Sequence, residues 1–100
     1  APAGESSTQM RTRVLAARDR ALARQGRPNN ELQGLDIDRH IGLDAAALRF
    51  LDVAATRLGW SARGTHRVLK VARTIADLAG AQATQIAHLA EAMQYRQVGK

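Results

Sequence analysis

Cysteine is missing from the 100 residues. Disulfides and thiolate chemistry are thereby excluded, and a zinc ion would have to rely on His and carboxylates. The compartment is not fixed by this absence. Aromatics are almost missing too, with one each of Phe, Trp and Tyr. A core drawn mainly from Ala, Leu and Val suits closely packed helices better than a β-sandwich. Two prolines and eight glycines leave long unbroken segments. Acids are scarce: nine Asp and Glu stand against fifteen Lys and Arg, for a net charge of +6. No apolar run approaches the ~20 residues of a membrane span. The N-terminal APAGESST is small and polar, with no signal-peptide core.

What is present is a series of amphipathic helical patterns. The stretch Ser61–Ala79, SARGTHRVLKVARTIADLA, organises the rest. Ser61 is a natural N-cap and Gly80 a natural stop. Val68, Val71, Ala72, Ile75, Ala76, Leu78 and Ala79 fall on one half of a 3.6-residue wheel. Arg63, His66, Arg67, Lys70, Arg73, Thr74 and Asp77 fall on the other, which is expected to face solvent.

Upstream, Ser7 or Thr8 is expected to cap a helix over Thr8–Gln25. Met10, Val14, Ala17, Ala21 and Leu22 form its stripe, and Gly26 with Pro28 ends it. Residues 26–43 read as an irregular connection with one or two short helical pieces, pinned by Leu32, Leu35, Ile37, Ile41 and Leu43. Asp44 caps Ala45–Leu58, with Leu48, Leu51, Ala54, Ala55 and Leu58 inward, Ala47 and Phe50 at the flank, and Gly59 as the stop. Arg49 and Asp52 are spaced to pair. Thr84 is expected to cap Gln85–Tyr95. These patterns predict an all-α fold: a small four-helix bundle with an irregular link between its first two long helices. A disordered lead-in covers 1–7, the helical domain 8–96, and a tail 97–100.

No GxxxxGK[ST] phosphate loop or Gly-rich dinucleotide turn is present, and no apolar strand ends in paired acids. His40, His66 and His88 sit on different elements without metal-ligand spacing, so no metal site is expected. The chain alone does not read as a complete enzyme. The basic balance favours an anionic partner. Arg63, in the first turn of the central helix, adds a forked donor to a positive helix end, a combination that suits a phosphate oxygen. The corner Leu58-Gly59-Trp60-Ser61, with Ala55 before it and Val68 after, has part of a helix-turn-helix pattern, although Thr65 stands where a second apolar residue belongs.

WSARGTHRVLKVARTIADLAG and the following IAHLAEAMQYR resemble the C-terminal segment of the magnesium-chelatase-related AAA+ ATPases. Upstream, GESSTQMRTRVLAARDRALARQGRPNNELQG resembles the same family's lead, RV-x-x-AR helix and N-x-x-L segment. The resemblance runs from about Gly4 to Arg96. It departs from the family pattern at Thr65, where an aromatic is common, and after the first AR, where Arg20 and Ala21 stand in place of the usual Gln.

That resemblance implies the small helical lid of an AAA+ module, with ATP and Mg held mainly by an upstream core. It implies that Arg63, matching the Arg of Ser-x-Arg, is the second sensor on the γ-phosphate. Arg67 and Lys70, one and two turns on, are weaker candidates for phosphate or subunit contacts. The expected partners are the upstream core, neighbouring subunits of a homohexamer and, for the competence-related branch, DNA undergoing branch migration. The expected location is the bacterial cytoplasm. Two alternatives remain open at this point: a free-standing DNA-binding module that reads a groove with Ser61–Arg67, and a purely structural protein–protein module.

Overall fold

Ser6 opens the first helix with a reciprocal pair of hydrogen bonds. Its Oγ accepts from the Gln9 N–H at 3.1 Å, and its own N–H donates to Gln9 Oε1 at 2.9 Å. In the computed structural model, which describes residues 6–98 and the side chains of 6–95, every regular element among the described residues is helical. The elements are α1 (Ser7–Gln25), a 3-10 turn (Asn29–Glu31), α2 (Leu35–His40), α3 (Ala45–Leu58), α4 (Ala62–Leu78) and α5 (Ile86–Val98). The irregular connection thus holds two short helical pieces. Residues 1–5 of the expected lead-in, and 99–100 of the expected tail, lie outside the described residues.

Local chemistry sets most boundaries. Asp44 caps α3 through the Ala47 N–H at 2.8 Å, and Ser61 caps α4 through the Gly64 N–H at 3.0 Å. Gly26 and Gly59 end α1 and α3 with φ of 78° and 68°, a left-handed conformation in which a Cβ is disfavoured. Thr84 does not cap α5. It is fully buried, and its Oγ1 donates to Ile41 O at 2.7 Å. Backbone bonds Thr84 N–H to Gly42 O and Asp44 N–H to Thr84 O stitch it to the start of α3. At the start of α5 it is His88 that reaches back, with Nδ1 accepting from the Gln85 N–H at 2.9 Å. That bond requires an unprotonated Nδ1.

Helix α4 is the hub. It packs against α1, the 3-10 turn, α2 and α5, while α3 packs on α5. The core joins Leu32, Ile37, Ile41, Ala47, Leu51, Val68, Leu69, Ala72, Leu89 and Ala92. Because partners surround α4 on several sides, its buried arc differs from the simple wheel. It is rotated toward Leu69, Arg73 and Asp77, and Val71 is left 40% exposed. Arg73 and Asp77, expected in solvent, are 1% and 0% exposed. Other apolar residues expected inside are exposed as well, among them Leu35, Leu48 and Leu58. Helix α3 is covered on one side only, through Ala47 and Leu51, so Leu48 and Leu58 miss its partner. On α1, only Ala17 and Ala21 of the expected stripe are buried; Met10, Val14 and Leu22 are open. Arg49 and Asp52 form no ion pair; among the described residues the ion pairs converge on Asp77.

Candidate functional site

At the N-terminal end of α4, Ser61 satisfies the Gly64 N–H and leaves the N–H groups of Ala62 and Arg63 without intrahelical partners. The first turn of α4 contains no acid. Its positive end and the exposed Arg63 guanidinium therefore stand together with no carboxylate of the same turn to neutralise them. This arrangement can bind an anion.

Arg67 lies one turn on, about 6 Å along the helix axis, and Lys70 about 10 Å. The structure brings Arg67 and Lys70 together and leaves Arg63 apart. Arg67 and Lys70 line a surface depression of ≈ 310 Å³ with Asn30, Val71 and Thr74, and Arg63 does not. Lys70 Nζ stands 3.5 Å from Asn30 O, at the outer limit of a hydrogen bond.

The other end of α4 carries a cluster that pattern reading did not find. Asp77 accepts from Arg24 Nη1 and Nη2, both at 3.0 Å, from Asn29 Nδ2 at 2.9 Å, and from Arg73 Nη2 at 2.8 Å and Nε at 3.1 Å. The remaining donors of Arg73 go to Ala81 O, Gln82 O, Ile41 O and Thr84 Oγ1. Arg20 Nη1 donates to Asp77 O at 2.7 Å. Burial pushes the Asp77 carboxyl up, but the hydrogen bonds from Arg24, Asn29 and Arg73 outweigh it and hold the carboxyl below its ordinary 3.8. With its donors and acceptors this well matched, the cluster is structural. It fixes α1, the 3-10 turn, the end of α2 and the α4–α5 link to one helix.

The signal for it was present. Arg73 and Asp77 are spaced one turn apart, and Asp77 is the only acid in α4, set between Ala76 and Leu78. Nothing in the sequence pointed to Arg24, which lies 53 residues away. Among the described residues no group of three His, Asp or Glu is placed to hold a metal ion, and no helix is long and apolar enough to cross a membrane. The backbones of α3 and α4 barely approach each other across the Gly59 corner, unlike the packed pair of a helix-turn-helix.

The family model for magnesium chelatase, subunit ChlI C-terminal, matches residues 4–96. The chain is 45% identical over 93 residues to the competence protein ComM of Haemophilus influenzae, a match that covers 93% of this chain and 18% of that protein. It is 40% identical over 97 residues to the YifB protein of Salmonella typhimurium, covering 97% and 19%. With YifB of Escherichia coli it shares 38% over 97 residues, again 97% and 19%. The chain therefore spans about a fifth of the length of the curated relatives it matches. No solved structure matches it.

Proposed function

The chain belongs to the magnesium chelatase ChlI C-terminal family, and on that premise we propose that it is the helical lid of an AAA+ ATPase, with Arg63 as the second sensor of the ATP site. The observation that carries the reading is the N-terminal end of α4: a capped first turn, free of acids, that presents Arg63 to solvent. A planar guanidinium beside two unbonded backbone N–H groups matches the oxygens of a terminal phosphoryl group. ATP and Mg would be held mainly by an upstream core, and Arg63 would complete the site from the lid side. In this reading the full-length protein is a homohexameric, cytoplasmic motor. DNA as the substrate and branch migration during recombination as the task follow from the family resemblance; a Haemophilus relative is named a competence protein.

Two roles are open to Arg67 and Lys70, phosphate contact and protein contact. The apolar company of Val71 supports the second. Arg63 belongs to neither the core nor the Asp77 cluster, so its truncation is expected to change stability by less than about 0.5 kcal/mol. Arginine contacts to a transferring phosphoryl group are worth about a thousandfold or more in rate. Arg63→Ala should therefore abolish most ATP turnover by the full-length protein while this chain melts as the wild type does. Arg63→Lys should restore only part of the turnover, because an ammonium lacks the fork. Wild-type turnover in Arg63→Ala would refute the assignment.

A further inference from the structure

Helix α1 buries only two of the five residues of its apolar stripe. Ala17 and Ala21 are 6% and 2% exposed, yet Val14 and Met10, on the same stripe toward the N-terminus, are 51% and 38% exposed. Beside Val14 and Ala17 lies a depression of ≈ 350 Å³ between α1, the 3-10 turn and the last turns of α4, with Leu78 on its far side. Asn30 and Thr74 line this depression and also the one that holds Val71, Arg67 and Lys70. The two therefore adjoin at these residues and together make a groove along α4.

The chemistry of the groove is consistent along its length. Apolar groups floor it, and cations, Arg18 at one end and Arg67 with Lys70 at the other, wall it. Asp77 is its one acid, and that carboxylate is already taken by Arg24, Arg73 and Asn29. A nucleic-acid backbone would use the cations and gain nothing from Val14, Val71 and Leu78. A helix with apolar anchors at turn spacing and carboxylates on its flanks would use both.

We infer that this groove seats an acidic amphipathic helix belonging to the part of the full-length protein that precedes this chain. The matched relatives are about five times as long as the chain, and the matching family is a C-terminal one, so most of such a protein lies ahead of α1. That is the end toward which the bare stripe of Val14 and Met10 runs. The inference rests on the lid reading for the existence of an upstream core, and adds where and by what chemistry that core is held.

The absence of cysteine from the chain makes the test direct. Val71→Cys and Val14→Cys place single thiols in the groove; Val53→Cys, on α3 at a residue 58% exposed, serves as reference. Maleimide labelling of each is measured by peptide mass spectrometry, in this chain and in the full-length protein. In this chain all three should react at similar rates. In the full-length protein Val71→Cys and Val14→Cys should slow by about tenfold, the factor for a cover seated about nine-tenths of the time, while Val53→Cys does not. Adding Arg67→Glu and Lys70→Glu should restore fast labelling of Val71→Cys.

Equal rates in the two proteins overturn the proposal. So does protection that survives the charge reversal, because the occupant is then not acidic. Protection that appears only when duplex DNA is added also overturns it and gives the groove to nucleic acid. ATP turnover by Arg63→Ala reads the sensor assignment separately, so either idea can fail without the other.

Discussion

Replacing Asp77 by Asn keeps the shape of the side chain and removes its charge. Asp77 is fully buried and pairs with two guanidiniums, of which Arg73 has a side chain only 2% exposed. Arg24, at 26%, can turn to water, whereas Arg73 cannot. Removing one partner of a buried pair strands the other charge, at a cost of about 3–5 kcal/mol. A domain of this size has only about 5–15 kcal/mol in total, and each kcal/mol lowers the melting temperature by about 4–8 °C. Asp77→Asn should therefore lower the melting temperature by about 12–40 °C in a thermal scan followed by circular dichroism.

The pH dependence carries a definite sign. The native carboxyl titrates below 3.8 because the hydrogen-bond donors outweigh burial. The unfolded chain thus takes up the proton first as pH falls, so the contribution of Asp77 is complete above the ordinary carboxylate value. It fades as the pH drops through 3.8 toward the lower native value. The gap between wild type and Asp77→Asn should be widest at neutral pH and should narrow in acid. Replacing both members, Arg73→Met with Asp77→Leu, should cost less than the sum of the two single changes, because no charge is then stranded by its nearest partner. An Asp77→Asn melt within about 4 °C of wild type at neutral pH, roughly 1 kcal/mol, would refute this account of the cluster.

Ser61→Ala removes the acceptor for the Gly64 N–H and should cost about 0.5–2 kcal/mol by urea unfolding, while loosening the turn that presents Arg63. Gly59→Ala meets open space but must hold φ near 68°, so it should cost about 1–2 kcal/mol through backbone strain alone, readable in the same titration. Leu89→Ala empties a fully buried site between α5 and the hub and should cost about 2–5 kcal/mol in the same unfolding assay.

Most caps and stops were legible because each is a local bargain between one side chain and its own backbone, although the cap of α1 falls at Ser6 and not at the expected Ser7 or Thr8. Asp44, Ser61, Gly26 and Gly59 needed no knowledge of the rest of the chain. Periodicity placed the helices for the same reason. What it could not decide was which way a stripe faces once several neighbours compete for it. Val71 was expected inside because it is apolar, and Arg73 outside because it is charged. The partners that reverse this, Arg24 with Asn29 for Asp77 and Thr84 with Ile41 for Arg73, lie 11 to 53 residues away along the chain. Thr84 looked like a cap because threonine before a helix usually is one; a buried acceptor at Ile41 O claims it instead. The stripe of α1 showed which side wants burial, and the structure adds that only part of it is buried within this chain. Arg63 was legible as an exposed first-turn cation because nothing nearby competes for it.

Helix α4 is also a lever. Its 17 residues make a rod about 25 Å long, with Arg63 near one tip and Asp77 near the other. Arg20 and Arg24 clamp the far tip to α1, and Arg73 clamps it to the turn that leads into α5. A rod gripped this way cannot tilt alone. Any displacement of the Arg63 tip would have to carry α1 and the root of α5 with it, because both are bonded to the other tip.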